Sequence, residues 1–489
     1  MLKKNVDTLF LGKNYFSLLF AQQVLKKGDS ALVVCDPSYQ DAGGLSDFLP
    51  YLELKLIKEW MESPDKRQWD DENIAPINLD QVADNWPVIF HWDKKILLLG
   101  NSPISNLLEI LRKFPAMFQE SAHFSPDDMI KDCLQFEDEF NQEFMLFCER
   151  TARNLFFYTS SLNYQFSKIL DDCPSWLRKC FKAFSLQYLY EMGQESNKNW
   201  EFLSLVYSLK AFYQKCFSFP TTEMEIFHLL LSMLSPLYKI NTEKIEEALS
   251  KRVTLLGGQM VDAWVTEWQF DRGRPWAVLL NTFDGMIRPK RIVLSAGGPD
   301  TLPFAWEDSG DMYQVFDWVP RNSFFHVESH YREQSGPFVL VVANSKELNC
   351  DRTLGIFRFE NSGVEGKIFQ RYYQGMKVEF IQEELKQFIS ENLNWPMFFL
   401  ENKSKFMAQY EFRPKAEFWP SRQLVFPFLK RLGQPPVPKI SRPILRQIYG
   451  GPEPLRAVTY IGPSWKMTGH TGPLSLVMEI KDSSTLLWP

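Results

Sequence analysis

Gly12, Asn14 and Ser17 have the spacing of the glycine-rich turn that binds a pyrophosphate at the start of a helix. In that turn, written G-x-G-x-x-G, the first glycine allows a tight bend and the second lets the backbone approach the phosphates. The third glycine lets the helix pack closely on its strand. Backbone N–H groups and the helix dipole then hold the negative charge. This spacing therefore indicates dinucleotide binding, with side chains at the second and third positions.

The neighbouring residues predict the elements that such a turn requires. An apolar strand over residues 8–11 leads into Gly12, and a helical stretch follows over residues 16–27. A second apolar strand over residues 31–35 leads to Asp36. This order predicts a strand–helix–strand unit of parallel sheet. The frame of a dinucleotide-binding unit is present, although its phosphate-facing positions have changed.

Other residues with catalytic or metal-binding chemistry give weaker patterns. His326 and His330 have the i, i+4 spacing of a zinc-binding helix, but Glu328 is misplaced for H-E-x-x-H and the local pattern is not helical. His470 lies in a glycine-bearing loop and has the chemistry to contact a phosphate or transfer a proton, although a loop histidine without such a role is favoured. We predict no metal site and assign no catalytic residue.

Composition narrows the class of protein. Hydrophobic residues make up 45% of the 489 residues, which is enough to bury a large core. The net charge of −6 argues against nucleic acid as a partner, because phosphate binding needs a basic surface. The seven cysteines form no C-x-x-C pair, which indicates reduced, buried thiols. No apolar run is long enough to span a bilayer or to form a signal peptide, so we predict a cytoplasmic protein without a transmembrane segment.

Aromatic residues are unusually frequent at 15%, including 41 phenylalanines and 15 tryptophans. Two interpretations remain open at this point. The aromatic side chains could fill a large core, or they could line a cavity for a bulky apolar ligand.

Along the chain, a largely helical block over residues 127–238 separates two regions with strand-like patterns. A hairpin is predicted with its turn at residues 93–94. After the helical block, a helix with Thr242 as its N-cap comes before further strands. From residue 304 to about residue 428 the pattern is mixed, with several strand candidates.

Three separated segments resemble the flavin-dependent amine oxidase and phytoene desaturase superfamily. The first is the N-terminal strand–helix–strand unit, followed by Gly43-Gly44. The second is EEALSKRVTLLGGQMVDAWVTEW over residues 246–268, which is similar to the family's helix, glycine pair and following strand. The third is TYIGPSWKMTGHTGPLSLVMEI over residues 459–480, which is similar to the family's closing motif. The order of the three segments carries the resemblance.

The resemblance implies FAD as cofactor and a set of residues that contact it. Gly12 would make the first turn, Asp36 would accept the ribose hydroxyls and the Val265 backbone would contact adenine. The full set implied is Gly12, Asn14, Ser17, Asp36, Gly43, Gly44, Val265, Gly462 and Gly472.

This chain departs from the family pattern at several of these positions. Leu45 replaces a basic residue, and Cys35 occupies the position where the family usually has the acid that Asp36 supplies here. Pro463 replaces the closing acid and removes a backbone N–H. Asn14 adds a Cβ and an amide where a pyrophosphate would approach. These departures predict that flavin binding is weak, altered or lost.

The resemblance also implies the domain organisation. We predict an α/β protein with a Rossmann-like FAD- or NAD(P)-binding domain formed by discontinuous segments, residues 1–58, 240–300 and 450–489. An α+β substrate-binding domain, residues 59–239 and 301–449, is inserted between them.

Two functions follow as hypotheses. The first is a divergent FAD-dependent oxidoreductase that transfers hydride from an apolar or amine substrate to the flavin. The second is a non-catalytic binding protein on the same fold, like Rab GDP dissociation inhibitors and Rab escort proteins. Such a protein would hold an apolar ligand or a partner protein. Fold resemblance alone does not separate the two.

Overall fold

The computed structural model describes residues 5–36, 48–62, 83–92, 95–157, 162–193, 200–213, 219–220, 223–271, 274–282, 286–294, 312–320, 337–343, 353–360, 363–372, 410–420 and 458–460. The helices are α1 (Tyr15–Lys26), α2 (Tyr51–Glu62), α3 (Pro103–Lys113), α4 (Pro126–Gln135), α5 (Glu137–Phe157), α6 (Leu162–Asp171), α7 (Ser175–Gly193), α8 (Trp200–Tyr213), α9 (Glu223–Leu234) and α10 (Thr242–Leu255). The strands are β1 (Asn5–Leu11), β2 (Ala31–Val34), β3 (Phe48–Pro50), β4 (Ala83–Asn85), β5 (Val88–Trp92), β6 (Lys95–Leu99), β7 (Leu237–Ile240), β8 (Gln259–Val261), β9 (Val265–Asp271), β10 (Arg274–Leu280), β11 (Met286–Leu294), β12 (Met312–Pro320), β13 (Phe338–Ala343), β14 (Thr353–Glu360), β15 (Gly363–Tyr372), β16 (Tyr410–Pro420) and β17 (Val458–Tyr460).

One seven-stranded sheet collects strands from both ends of the chain. Its order is β8-β2-β1-β11-β10-β9, and β17 also pairs with β11. The pairs β8–β2, β2–β1, β1–β11 and β11–β17 are parallel, whereas β9, β10 and β11 form an antiparallel meander. The predicted α/β fold of Rossmann type, with a sheet built from discontinuous segments, is confirmed. The domain bounds stay a prediction.

Helix α1 connects β1 to β2 and packs against both strands and against α10. Its apolar residues are buried around most of the helix, as expected for an element covered on more than one side. Phe20 meets Phe10 of β1 edge to face, with ring centroids 5.7 Å apart. Burial of one such side chain contributes about 1.5–3 kcal/mol. This packing holds α1 against β1.

Close packing between α1 and α10 depends on Gly258. A Cβ added there would lie 2.8 Å from Cδ1 of Leu25 on α1, and 2.7 Å from Cγ1 and 2.8 Å from the carbonyl oxygen of Val253 on α10. We expect Gly258→Ala to lower the free energy of unfolding by about 1–3 kcal/mol, the usual cost of overpacking. Urea denaturation measures the change. Gly193→Ala is the matched control, since a Cβ there meets nothing within 4 Å. Equal stabilities for the two variants would contradict the prediction.

A second seven-stranded sheet has the order β16-β12-β15-β14-β13-β5-β6. β5 and β6 pair antiparallel, which confirms the strand pairing of the predicted hairpin, whose turn at residues 93–94 lies outside the described residues. β5 also pairs in parallel with β13, so residues near 90 and near 340 share one sheet. A small antiparallel sheet, β3-β7-β4, lies next to α2.

The helices α4 to α9 form the helical block that the sequence predicts over residues 127–238. Their aromatic side chains pack on one another: the Phe181 and Phe227 ring centroids are 4.9 Å apart, and the Phe140 and Trp176 centroids are 5.1 Å apart. Phe181, Phe227 and Trp176 are buried in the core. Among the described residues, these aromatics act as core.

Helix caps differ from the prediction at one position. Asn241, rather than Thr242, is the N-cap of α10, since its Oδ1 accepts a hydrogen bond from the Lys244 N–H at 3.0 Å. An asparagine caps a helix as well as a threonine does or better, so Thr242 becomes the first helical residue.

The five described cysteines, Cys35, Cys133, Cys148, Cys173 and Cys180, are free thiols. Burial raises the pKa of both Cys133 and Cys173 to about 12, so neither thiol ionises near neutral pH. In the described part of the chain, no helix is both long and apolar enough to cross a membrane.

Candidate functional site

Five parallel strands end at the same level of the main sheet. Leu11 of β1 is in register with Val34 of β2 and with Leu294 of β11. Val34 is in register with Val261 of β8, and Leu294 with Tyr460 of β17. In open parallel sheets, ligands bind in the crevice beyond such carboxyl ends. This edge is therefore the candidate site, and the described segments that begin at residues 12, 35 and 262 leave the sheet there.

Gly12 makes the turn that leaves the edge from β1. Its φ of 95° lies in the left-handed region, which glycine adopts without steric cost. Its N–H donates to the carbonyl oxygen of Val34 at 3.0 Å, which joins the ends of β1 and β2. The predicted tight turn at Gly12 is present in the structure.

The start of α1 is closed by a reciprocal pair of hydrogen bonds between Asn14 and Ser17. Oδ1 of Asn14 accepts from the Ser17 N–H at 2.9 Å, and Oγ of Ser17 accepts from the Asn14 N–H at 3.0 Å. The Ser17 hydroxyl also donates to the Asn14 carbonyl oxygen at 2.9 Å. This is a capping box, in which side chains satisfy the N–H groups that a helix start leaves open.

The capping box uses the second and third positions of the glycine pattern. Asn14 is the N-cap, with extended backbone (φ −148°), so the turn needs no left-handed residue at that position. Both side chains are buried. In the glycine pattern, the same helix start would present its N–H groups to a pyrophosphate. Here two of those groups are bonded to side chains of the chain itself. Asparagine is also among the preferred N-cap residues, and this is the signal in the sequence that predicts the bonding at position 14.

Asp36, at the end of the β2 segment, contacts the first residue of β9. Its Oδ2 accepts a hydrogen bond from the Val265 N–H at 2.9 Å, and the residue is only 1% exposed. The resemblance assigns Asp36 to ribose and Val265 to adenine. The structure brings these two residues together, 229 positions apart in the sequence, and bonds them to each other.

A groove of about 700 Å³ lies between Lys13 and one face of α10. Glu243, Glu246, Glu247 and Lys251 are among its lining residues. Lys251 is paired with Glu247 at 2.7 Å. The groove therefore has more carboxylates than cations, which disfavours a phosphate-bearing ligand there.

Cys35 precedes Asp36 at the same edge and is half-buried. Burial, and to a smaller extent the nearby Asp262 carboxylate, raises the pKa of its thiol to about 11. A thiol of this kind stays protonated near pH 7 and is a poor nucleophile. Within the described residues, no group of three histidine, cysteine or acidic side chains is placed to hold a metal ion.

Four predicted site residues, Gly43, Gly44, Gly462 and Gly472, lie outside the described residues, as do His326, His330 and His470. Strand β17 ends two residues before Gly462 and pairs with β11. The strand that leads into the closing segment thus belongs to the main sheet.

The described residues do not fit a flavin dinucleotide bound in the usual way. A pyrophosphate needs accessible N–H groups at the start of α1, and the Asn14–Ser17 box takes two of them. A ribose needs an accessible carboxylate at the end of β2, and Asp36 is buried against Val265. At both the pyrophosphate end and the ribose end of the crevice, the groups that would bind the cofactor are hydrogen-bonded within the protein.

Solved structures that match this chain do so at low sequence identity. No protein-family model and no curated protein matches the chain. An oxidoreductase from Methanosarcina mazei is 11% identical with a TM-score of 0.45, covering 98% of this chain and 100% of that one. A Rab GDI from Plasmodium falciparum is 9% identical with a TM-score of 0.38, covering 84% and 89%. A peptidyl tryptophan dihydroxylase is 8% identical with a TM-score of 0.40, covering 85% of this chain and 56% of that chain.

Proposed function

We propose that this chain is a binding protein on a flavoprotein-type scaffold, in which FAD binding is weak or lost. The observation that carries the proposal is the Asn14–Ser17 capping box at the start of α1. A flavin would have to displace these buried side chains before its pyrophosphate could reach the helix N–H groups. Leaving the displaced buried groups without partners costs about 1–3 kcal/mol each.

The class of ligand that we propose is an apolar molecule or a lipid-modified partner protein. The described aromatic side chains pack as core, so this choice rests on the alternative that the sequence leaves open, in which other aromatic side chains of the inserted domain line an apolar cavity. The acidic net charge argues against nucleic acid. We propose that the inserted domain, residues 59–239 and 301–449, carries this ligand.

A second candidate is a divergent FAD-dependent oxidoreductase of the amine oxidase or desaturase type. It is favoured by the Gly12 turn and by the aligned ends of β1, β2, β8, β11 and β17, which keep the frame of a dinucleotide site. In that case bound flavin would accept hydride from an apolar or amine substrate. No residue of this chain is assigned a catalytic role in it.

The absorption spectrum of the purified protein, followed by titration with FAD, separates the two candidates. We expect no flavin band after purification and a Kd for added FAD above about 1 µM, because the helix start is already bonded. Isothermal titration calorimetry measures the Kd of the added FAD. Stoichiometric flavin after purification, or a Kd below that value, would favour the oxidoreductase and contradict the binding-protein proposal.

The ligand class has its own test. We expect a geranylgeranylated peptide to bind more tightly than the same peptide without its lipid, as followed by fluorescence anisotropy. Geranylgeraniol as competitor distinguishes a free apolar molecule from a lipidated partner. If it displaces the peptide completely at similar concentration, the apolar chain alone is recognised. Equal binding of the modified and unmodified peptides would contradict an apolar ligand.

A further inference from the structure

The connection from β8 into β9 is held from two sides. On one side, Oδ2 of Asp36 accepts from the Val265 N–H at 2.9 Å. On the other side, Oδ1 of Asn281 accepts from the Trp264 N–H at 2.9 Å, and the Asn281 N–H donates to the Trp264 carbonyl oxygen at 3.1 Å. The Cys35 N–H donates to the Val261 carbonyl oxygen at 2.8 Å just before this connection.

These contacts lie at the adenosine end of a Rossmann crevice. In that fold, an acidic residue after the second strand accepts the ribose hydroxyls and must therefore face the ligand. Asp36 occupies that place in the chain, yet it is 1% exposed and bonded to the protein backbone. A hydrogen bond from a backbone N–H satisfies a buried carboxylate oxygen, and breaking it leaves a buried polar group at a cost.

We propose that Asp36 and Val265 form an internal latch that occupies the adenosine end of the crevice and fixes the turn from β8 into β9, so that adenine nucleotides do not enter. This proposal deepens the proposed function and rests on it for the location of the crevice. The capping box closes the pyrophosphate end, and the latch closes the other end through different residues. Asp36 is then a positioning residue for β9.

The latch is tested by hydrogen exchange at the Val265 amide in the full-length protein. We expect Asp36→Ala to speed that exchange at least tenfold relative to wild type, because the acceptor is removed. Asp36→Asn keeps an oxygen at the same place and is expected to leave the exchange rate within about threefold of wild type. If Asp36→Ala does not fold, Asp36→Asn and the wild type still carry the test. Equal exchange in wild type and Asp36→Ala, or loss of protection in Asp36→Asn, would overturn the latch.

Titration of the wild type with AMP tests exclusion of the nucleotide. We expect no saturable binding by calorimetry at millimolar AMP. Saturable AMP binding that Asp36→Ala abolishes would overturn the latch, because Asp36 would then be a ribose ligand. The proposed function fails by a different result, namely flavin retained through purification. AMP binding without FAD binding would remove the latch and leave the proposed function standing.

Discussion

Replacing Lys210 by methionine is expected to lower the free energy of unfolding by about 3–5 kcal/mol, the usual cost of removing one member of a buried ion pair. Nζ of Lys210 lies 3.3 Å from Oε2 of Glu225, and the two side chains are 0% and 1% exposed. Nζ also donates to the Phe219 carbonyl oxygen at 3.1 Å. Without Lys210, the Glu225 carboxylate loses a buried cation, and the chain between α8 and α9 loses a donor.

The double variant Lys210→Met/Glu225→Leu is expected to recover most of this loss, since it removes both buried charges. Recovery is incomplete because the Phe219 carbonyl oxygen still lacks the Lys210 donor. Lys251→Met is the matched control, because its pair with Glu247 is exposed on α10. Its free energy of unfolding is expected to equal that of the wild type within the error of urea denaturation. If the double variant loses as much free energy of unfolding as Lys210→Met and Glu225→Leu lose together, the two charges are not coupled and the prediction is contradicted.

The Lys210–Glu225 pair also marks a limit of sequence reasoning. Lysine and glutamate are almost never fully buried unless paired, so a sequence pattern assigns both to the surface by default. Only the packing of α8 against α9 brings the two charges together in the core. Nothing in their spacing of 15 positions indicates a pair.

The frame of the fold, by contrast, could be predicted from local patterns. The apolar runs of β1 and β2 and the helical stretch between them indicate a parallel unit whatever the distant sequence contains. Glycine at position 12 fixes the turn because its φ is positive. These features depend on residues close to one another in the chain. The observed bounds, Asn5–Leu11 and Tyr15–Lys26, differ from the prediction mainly at the ends of the elements, where caps and packing decide.

The state of the candidate site could be predicted only in part. The sequence indicates that positions 14 and 17 have lost their glycines, and asparagine at position 14 is a preferred N-cap residue. The contact between Asp36 and Val265 joins residues 229 positions apart, and no local pattern encodes it. The sequence therefore predicts a changed crevice, whereas the structure identifies what now fills it.

Asn14→Gly combined with Pro463→Glu is expected to raise the affinity for FAD at least tenfold, which is about 1.4 kcal/mol. Glycine at position 14 removes the Cβ and the amide from the start of α1 and releases the Ser17 N–H that the amide binds. Glutamate at position 463 restores the acid and the backbone N–H that the family resemblance places there. Pro463 lies outside the described residues, so its part in the prediction rests on that resemblance.

Asn14→Ala/Pro463→Glu is the matched control, since alanine removes the amide but keeps the Cβ. Alanine at an N-cap costs about 0.5–2 kcal/mol of stability, whereas glycine costs only a few tenths. The glycine variant is therefore expected to be the more stable of the two. If the Cβ obstructs the pyrophosphate, calorimetric titration gives a higher FAD affinity for the glycine variant alone. A rise of equal size in both variants would assign the obstruction to the amide. Unchanged affinity in both would contradict the prediction and would mean that the crevice has been remodelled beyond these positions, with the Asp36–Val265 contact as the next obstacle to remove.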